Sequence, residues 1–154
     1  MNYIFSVLTQ EQAEKIAYSW RYEDEYSFYN MDSDLEDLKE FLNPESRGDA
    51  AFAVSADHEL IAFLTLNKTE DTIVEIGLGM EPDSTGIGRG LAFVNAAIEF
   101  VIAELKPRKI TLSVATFNRR AINVYRKAGF ESVQTYMQNT NGKRYEFLKM
   151  IYIC

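Results

Sequence analysis

The sequence predicts an α/β (mixed α+β) fold, a central mixed sheet of about seven strands with about four helices on its faces. Three observations carry this expectation. Apolar residues repeat with a period of two in some segments and of three to four in others, and the two kinds do not alternate regularly along the chain. Asn141-Gly142 separates two strand-like runs, a strong signal for an antiparallel hairpin. A third strand-like run enters a glycine-rich turn on which a strongly apolar helix starts. The 154 residues suit one domain, 1–154, and 10 Phe, 9 Tyr and 1 Trp supply the large side chains of a core.

Tyr3 to Leu8 reads as a short strand. Thr9, with Gln12 three positions on, forms a capping box that opens a helix to about Trp20. Residues 21–31 are aromatic and acidic without a clean period. Asp32 or Ser33 is expected to cap a second helix carrying Leu35, Leu38 and Leu42 on one face, with Pro44 as its stop. Phe52 to Ser55 and Leu60 to Asn67 are expected strands joined by a polar turn at Asp57 and His58, which leaves His58 at the surface. Thr72 to Met80 is the next strand. In the helix from Leu91 to Leu105, residues Leu91, Val94, Ile98, Val101 and Leu105 fall at helical spacing, and Pro107 ends it. Ile110 to Ala115 alternates as a strand. Asn118 caps a helix to about Ala128, with Gly129 as its stop. Ser132 to Gln138 and Arg144 to Tyr152 are the two strands of the final hairpin.

Charge and composition exclude several function classes. The net charge is -7, which argues against a nucleic-acid binder. All of that excess sits in residues 21–50, which hold ten acids and three bases, whereas residues 105–130 hold seven bases and no acid. One segment attracts cations and the other anions. Cys154 and His58 are the only cysteine and histidine, so neither a disulfide nor a His/Cys zinc site can form within one chain, and no metal is expected. The N-terminal residues lack a basic region followed by an apolar run, and no stretch is long enough to span a bilayer. A cytoplasmic protein without membrane contact is the expectation.

The glycine turn runs Asp83-Ser84-Thr85-Gly86-Ile87-Gly88-Arg89-Gly90. The first N–H groups of a helix have no intrahelical partner and carry partial positive charge, and glycines let a phosphate approach them closely. Neither the dinucleotide fingerprint nor the P-loop fits: their required positions fall on Leu91, Phe93 and Ala92. The segment from Thr85 to Gly90 instead resembles the acetyl-coenzyme A motif of the GNAT N-acetyltransferases, Arg/Gln-x-x-Gly-x-Gly or Ala. Thr85 stands where that family has Arg or Gln, a shorter side chain whose hydroxyl can still donate a hydrogen bond. Downstream, Asn118, Ala121, Tyr125, Gly129 and Phe130 resemble the family's second motif at all five positions. Leu78-Gly79-Met80-Glu81-Pro82 resembles its entry to the turn. The match covers about residues 75 to 130.

The resemblance implies a mostly antiparallel twisted sheet and acetyl-CoA as co-substrate. Backbone N–H groups near Leu78, Gly79 and Met80 would hold the acetyl carbonyl and the pantetheine arm. The amides of Thr85, Gly86, Ile87, Gly88, Arg89 and Gly90 would hold the pyrophosphate. Asn118 would bond the pantetheine while capping its helix. Tyr125 would be the general acid that protonates the leaving thiolate. Glu75, an acid inside a strand, is the candidate general base, directly or through water. Trp20, Tyr22, Tyr26, Phe28 and Tyr29, interleaved with Glu23, Asp24 and Glu25, would line the acceptor site and suit a cationic amine. One or more of Arg119, Arg120 and Arg126 would meet the phosphates of coenzyme A. The resemblance also brings a homodimer through the C-terminal strands. The function expected is transfer of acetyl to a primary amine: a small molecule, a peptide N-terminus or a lysine. A non-catalytic acyl-CoA-binding regulatory module, or an interaction domain without ligand, are the alternatives.

Overall fold

The computed structural model describes residues 2–82 and 89–154, with Asp24 and Glu25 described by backbone alone. The chain runs β1 (Tyr3–Val7), α1 (Gln10–Ser19), two 3-10 turns (Asp24–Tyr29 and Met31–Ser33), α2 (Leu35–Leu42), α3 (Pro44–Arg47), β2 (Ala51–Ala56), β3 (Glu59–Glu70) and β4 (Ile73–Met80). It continues with α4 (Arg89–Leu105), β5 (Lys109–Ala115), α5 (Arg119–Ala128), β6 (Glu131–Thr140) and β7 (Lys143–Ile153). Seven strands form one sheet in the order β1-β2-β3-β4-β5-β7-β6. Neighbours are antiparallel except β4 and β5, which are parallel.

Local chemistry sets most boundaries. Both bonds of the capping box at α1 form: Gln12 N–H donates to Thr9 Oγ1 at 3.1 Å and Thr9 N–H to Gln12 Oε1 at 3.0 Å. The cap of α2 is Asp34, not Asp32 or Ser33. Its Oδ1 accepts from the N–H groups of Glu36 (3.1 Å) and Asp37 (3.2 Å). The other two are engaged elsewhere, Asp32 with the Arg21 guanidinium at 2.7 Å and Ser33 Oγ donating to the Ser27 carbonyl at 2.9 Å. Pro44 ends α2 as expected but also opens the single turn α3, capped by Asn43, which makes five helices among the described residues where about four were expected. The β2–β3 and β6–β7 hairpins turn through left-handed residues, Asp57 and His58 in the first, Asn141 and Gly142 in the second.

Helices cover both faces. Against one face, α4 and α5 pack on Val54, Leu64, Val74, Ile110 and Met150, all essentially inaccessible. Against the other, Ala13, Ile16 and Trp20 pack on Ala53 and Phe63. This second layer explains the glycines of β4: a Cβ at Gly79 would run into the Phe63 ring, and one at Gly77 into the Thr65 hydroxyl.

The pairing of β4 with β5 is short. It spans Ile73↔Lys109, Val74↔Ile110 and Glu75↔Thr111, and then the strands part. Beyond that point β4 pairs only with β3, and β5 only with β7. The parting of two parallel strands in mid-sheet is the feature that positions the site.

Candidate active site

Register decides what faces the gap between β4 and β5. The Glu81 N–H donates to the Ile61 carbonyl at 2.7 Å, flanking the pair Ala62↔Met80. That pair is therefore the kind whose own N–H and C=O groups point away from each other. The register runs unbroken to Leu64↔Leu78, so Leu78 repeats the geometry two residues on. The N–H groups of Leu78 and Met80 thus face β5 across the gap. Gly79, between them, turns its own groups to β3 and acts as a spacer. One carbonyl on the gap side already has a partner: Tyr22 Oη donates to the Met80 carbonyl at 2.6 Å.

The gap opens into a cavity of about 520 Å³. Leu78, Gly79, Met80 and Gly90 line one side of it, and Asn118 and Tyr125 another. Trp20, Tyr22, Tyr26 and Tyr29 form a third wall. Residues more than a hundred positions apart in sequence thus converge on one space. Thr85, Gly86, Ile87 and Gly88 lie outside the described residues. Arg89 is in the first described turn of α4, within electrostatic reach of the Tyr3 hydroxyl.

The seven-residue interval between Asn118 and Tyr125 is about two helical turns, so both project from one side of α5. Asn118 Oδ1 accepts from the Ala121 N–H at 3.2 Å, the cap, while Nδ2 donates to Tyr29 Oη at 3.1 Å. Its two polar atoms do separate jobs. The ring of Tyr125 meets Phe130 edge-on, with centroids 5.9 Å apart. The helix stops there because Gly129 adopts φ 113° and the Phe130 N–H returns to the Tyr125 carbonyl at 3.0 Å. Burial drives the Tyr125 hydroxyl well above its ordinary pKa, and the nearby Tyr29 hydroxyl adds to the shift. The phenol therefore keeps its proton throughout the neutral range and can donate it. Burial also raises Tyr29, against the hydrogen bonds from Asn118 and the backbone of Ala115. Tyr22 is pushed up to about 12 by burial, opposed by Arg120 and helped by Glu81.

The aromatic wall is held as a unit. Asn30 is buried and its Oδ1 accepts from the Tyr22 N–H at 2.7 Å. Asn141 Nδ2, at the tip of the β6–β7 hairpin, donates to the Phe28 carbonyl at 3.0 Å. Phe28 itself does not line the cavity. It packs on Tyr145 (4.7 Å between centroids) and Phe117 (5.5 Å) and ties the wall to β7.

Some expectations meet a different arrangement. Glu75 is exposed and outside the cavity lining. It stands five residues before Met80, about 17 Å along an extended strand, and so lies away from the gap beside Leu78 and Met80. The carboxylate of Glu23 is exposed rather than set among the wall tyrosines. Among the described residues lining the cavity, the charged ones are Arg120 and Lys127. The Arg120 guanidinium lies over the Tyr26 ring, 4.6 Å from its centroid. Arg119 is exposed, and Arg126 Nη2 donates to Ser132 Oγ at 3.2 Å. Lys127 stands out in the sequence only as one of the seven bases of residues 105–130, although Arg120, Val124 and Lys127 fall at helical spacing on one face of α5. Among the described residues, no group of three or more His, Cys, Asp or Glu is placed to hold a metal ion, and no helix is long and apolar enough to cross a membrane.

Comparison with known proteins agrees with this architecture. A family model described as Acetyltransferase (GNAT) domain matches residues 3–131. A chimera of the spermidine N-acetyltransferase SpeG from Vibrio cholerae with hSSAT superposes with a TM-score of 0.75 at 22 % identity, over 98 % of this chain and 95 % of that one. AAC(6')-Ib, solved with ribostamycin and coenzyme A, superposes with a TM-score of 0.77 at 18 % identity, over 99 % of this chain and 94 % of that one. A GNAT-family acetyltransferase from Bacillus anthracis gives 0.75 at 15 % identity, over 99 % and 95 %. At such identities these likenesses establish the fold alone. No curated protein matches the sequence significantly.

Proposed function

The chain belongs to the GNAT acetyltransferases, and from that premise we propose that residues 1–154 form a single N-acetyltransferase domain that moves the acetyl group of acetyl-CoA to a primary amine seated against Trp20, Tyr22, Tyr26 and Tyr29. The observation that carries this reading is the parting of β4 and β5 beside Tyr125, with the N–H groups of Leu78 and Met80 facing the gap. That gap fits an acyl thioester: two strand donors in a row suit a carbonyl-bearing arm lying between the strands, and the adjoining wall is apolar and aromatic.

Acetyl-CoA supplies an acyl carbon activated by a thiol leaving group. The residues do the rest. The Met80 N–H faces the position where negative charge grows on the acetyl oxygen as the amine attacks, and a fixed donor there stabilises that charge. Tyr22, by donating to the Met80 carbonyl, holds this part of the strand and joins it to the acceptor wall. The new C–N bond forms as the C–S bond breaks. Tyr125 Oη gives its proton to the departing sulfur. The amine must arrive neutral and sheds its remaining excess proton to water, since Glu75 is remote. Tyr29 and Asn118 hold the Tyr125 side of the cavity in place. Gly90, with Lys127 nearby, serves the phosphate end.

The test is release of coenzyme A thiol from acetyl-CoA in the presence of a panel of primary amines, alongside calorimetric titration with acetyl-CoA. Amine-dependent thiol release supports the proposal. Binding of acetyl-CoA without turnover would favour the regulatory module, and absence of binding would refute both.

A further inference from the structure

The acidic segment suggests a site for cations, yet among the described residues lining the cavity the charged ones are cations, and the carboxylate of Glu81, within electrostatic reach of Tyr22, lies outside that lining. The one ion pair among the described residues is Arg21 with Asp32. Arg120 thus makes no ion pair with a described carboxylate. Its guanidinium stacks on Tyr26 and lies within electrostatic reach of Tyr22, so it sits at the acceptor wall. Stacking occupies the face of the guanidinium and leaves its edge N–H groups available for a planar anion. The other lining cation, Lys127, belongs to the opposite end. A Cβ at Gly90 would touch Val124 at 3.8 Å, and Lys127 follows one turn later on α5. Seven residues of helix, about 10 Å, separate it from Arg120.

Resting on the acetyltransferase reading, we infer that Arg120 is a specificity-determining residue of the acceptor site and that the acceptor is an amine bearing a carboxylate, of the amino-acid class, rather than a polycationic amine. The carboxylate takes the guanidinium edge while the carbon skeleton lies on Tyr26 and Trp20. The same charge assists the chemistry. A fixed cation disfavours the ammonium form of the acceptor, as does the apolar wall, so the nitrogen is more often neutral and nucleophilic without a carboxylate base. A polyamine would bring several positive charges towards a cation.

The experiment compares matched acceptors that differ only by the carboxylate, such as phenylalanine with phenethylamine and tryptophan with tryptamine. Spermidine is the polycationic member, and the remaining amino acids complete the panel. For each acceptor, kcat/KM is measured with wild type, Arg120→Gln and Arg120→Lys. The two members of a pair differ in amine basicity, but equally for every enzyme form, so the ratio of ratios isolates Arg120. The wild type is expected to prefer the carboxylated member. In Arg120→Gln that preference should fall about 10- to 100-fold, the range of a lost charged hydrogen bond, through KM rather than kcat. Arg120→Lys should recover part of it. Because Arg120 is exposed, raising the salt should shrink the preference of the wild type. Three results would overturn the inference: a preference unchanged in Arg120→Gln, spermidine outperforming every carboxylated amine, or no turnover of any carboxylated amine while acetyl-CoA still binds. The first two leave the acetyltransferase reading intact. Failure of acetyl-CoA to bind at all would mark failure of that reading instead.

Discussion

Tyr125→Phe removes one oxygen and leaves the ring against Phe130, so the perturbation is chemically narrow. Its stability cost follows from the surroundings. The hydroxyl makes no hydrogen bond with the other described residues, so the change should stay within about 1 kcal/mol in either direction. Acetyl-CoA affinity should also hold, since the proton is needed only when sulfur leaves. Turnover is different. Loss of a positioned acid slows reactions about 10²- to 10⁴-fold, equivalent to roughly 3 to 5 kcal/mol of barrier. The assay is thiol release under saturating acetyl-CoA, with chemical unfolding and calorimetry on the same preparations. A thioester with a more acidic thiol needs less protonation, so the variant's deficit should shrink with such a donor. Near-wild-type turnover with every acceptor and donor would refute the argument. Water would then protonate the thiolate, and Tyr125 would serve the cavity only as an aromatic wall.

Glu75→Gln should leave both turnover and its pH profile unchanged, because the side chain is exposed and away from the cavity; an acid-side loss of activity would restore it as a base acting through water. Gly79→Ala should destabilise the fold by about 1 to 3 kcal/mol in denaturant titration, since the new methyl meets the Phe63 ring. Stability should fall at high pH. Tyr22 and Tyr125 have folded pKa values raised above the unfolded 10, so their contribution is complete below pH 10 and is lost as pH rises from there through about 12 for Tyr22, by roughly 1.4 kcal/mol per pH unit and per tyrosine. Tyr22→Phe should remove part of that alkaline loss, and an unchanged alkaline limb would contradict the burial argument.

The elements were legible because their signals are local. Thr9 with Gln12, Asn118 with Ala121, the left-handed Gly129 and the Asn141-Gly142 turn each act over a few residues, and chain connectivity alone brings the partners together. The second motif was legible for the same reason, since one helix carries both Asn118 and Tyr125. The cap of α2 shows where locality ends: Asp32, Ser33 and Asp34 are equivalent in sequence, and only the positions of Arg21 and Ser27 decide which is left to cap. The site depends on longer reach. Tyr22 bonds Met80 across 58 positions, and Tyr29 meets Asn118 across 89. The acidity of residues 21–50 suggested a site for cations, but charge along a chain does not say which side chains face a cavity. Arg120 lies over Tyr26 because α5 turns its apolar face to the sheet and so aims Arg120 at the wall. The exposure of Glu75 follows from the same kind of constraint. Strand alternation limits it to one of two faces, and only the extent of the helix layer decides whether that face is covered at residue 75. The sequence alone determined most of the elements and the candidate residues for the chemistry. The tertiary structure decided which of them share a space, because that depends on strand register and helix packing between segments that the chain itself does not hold together.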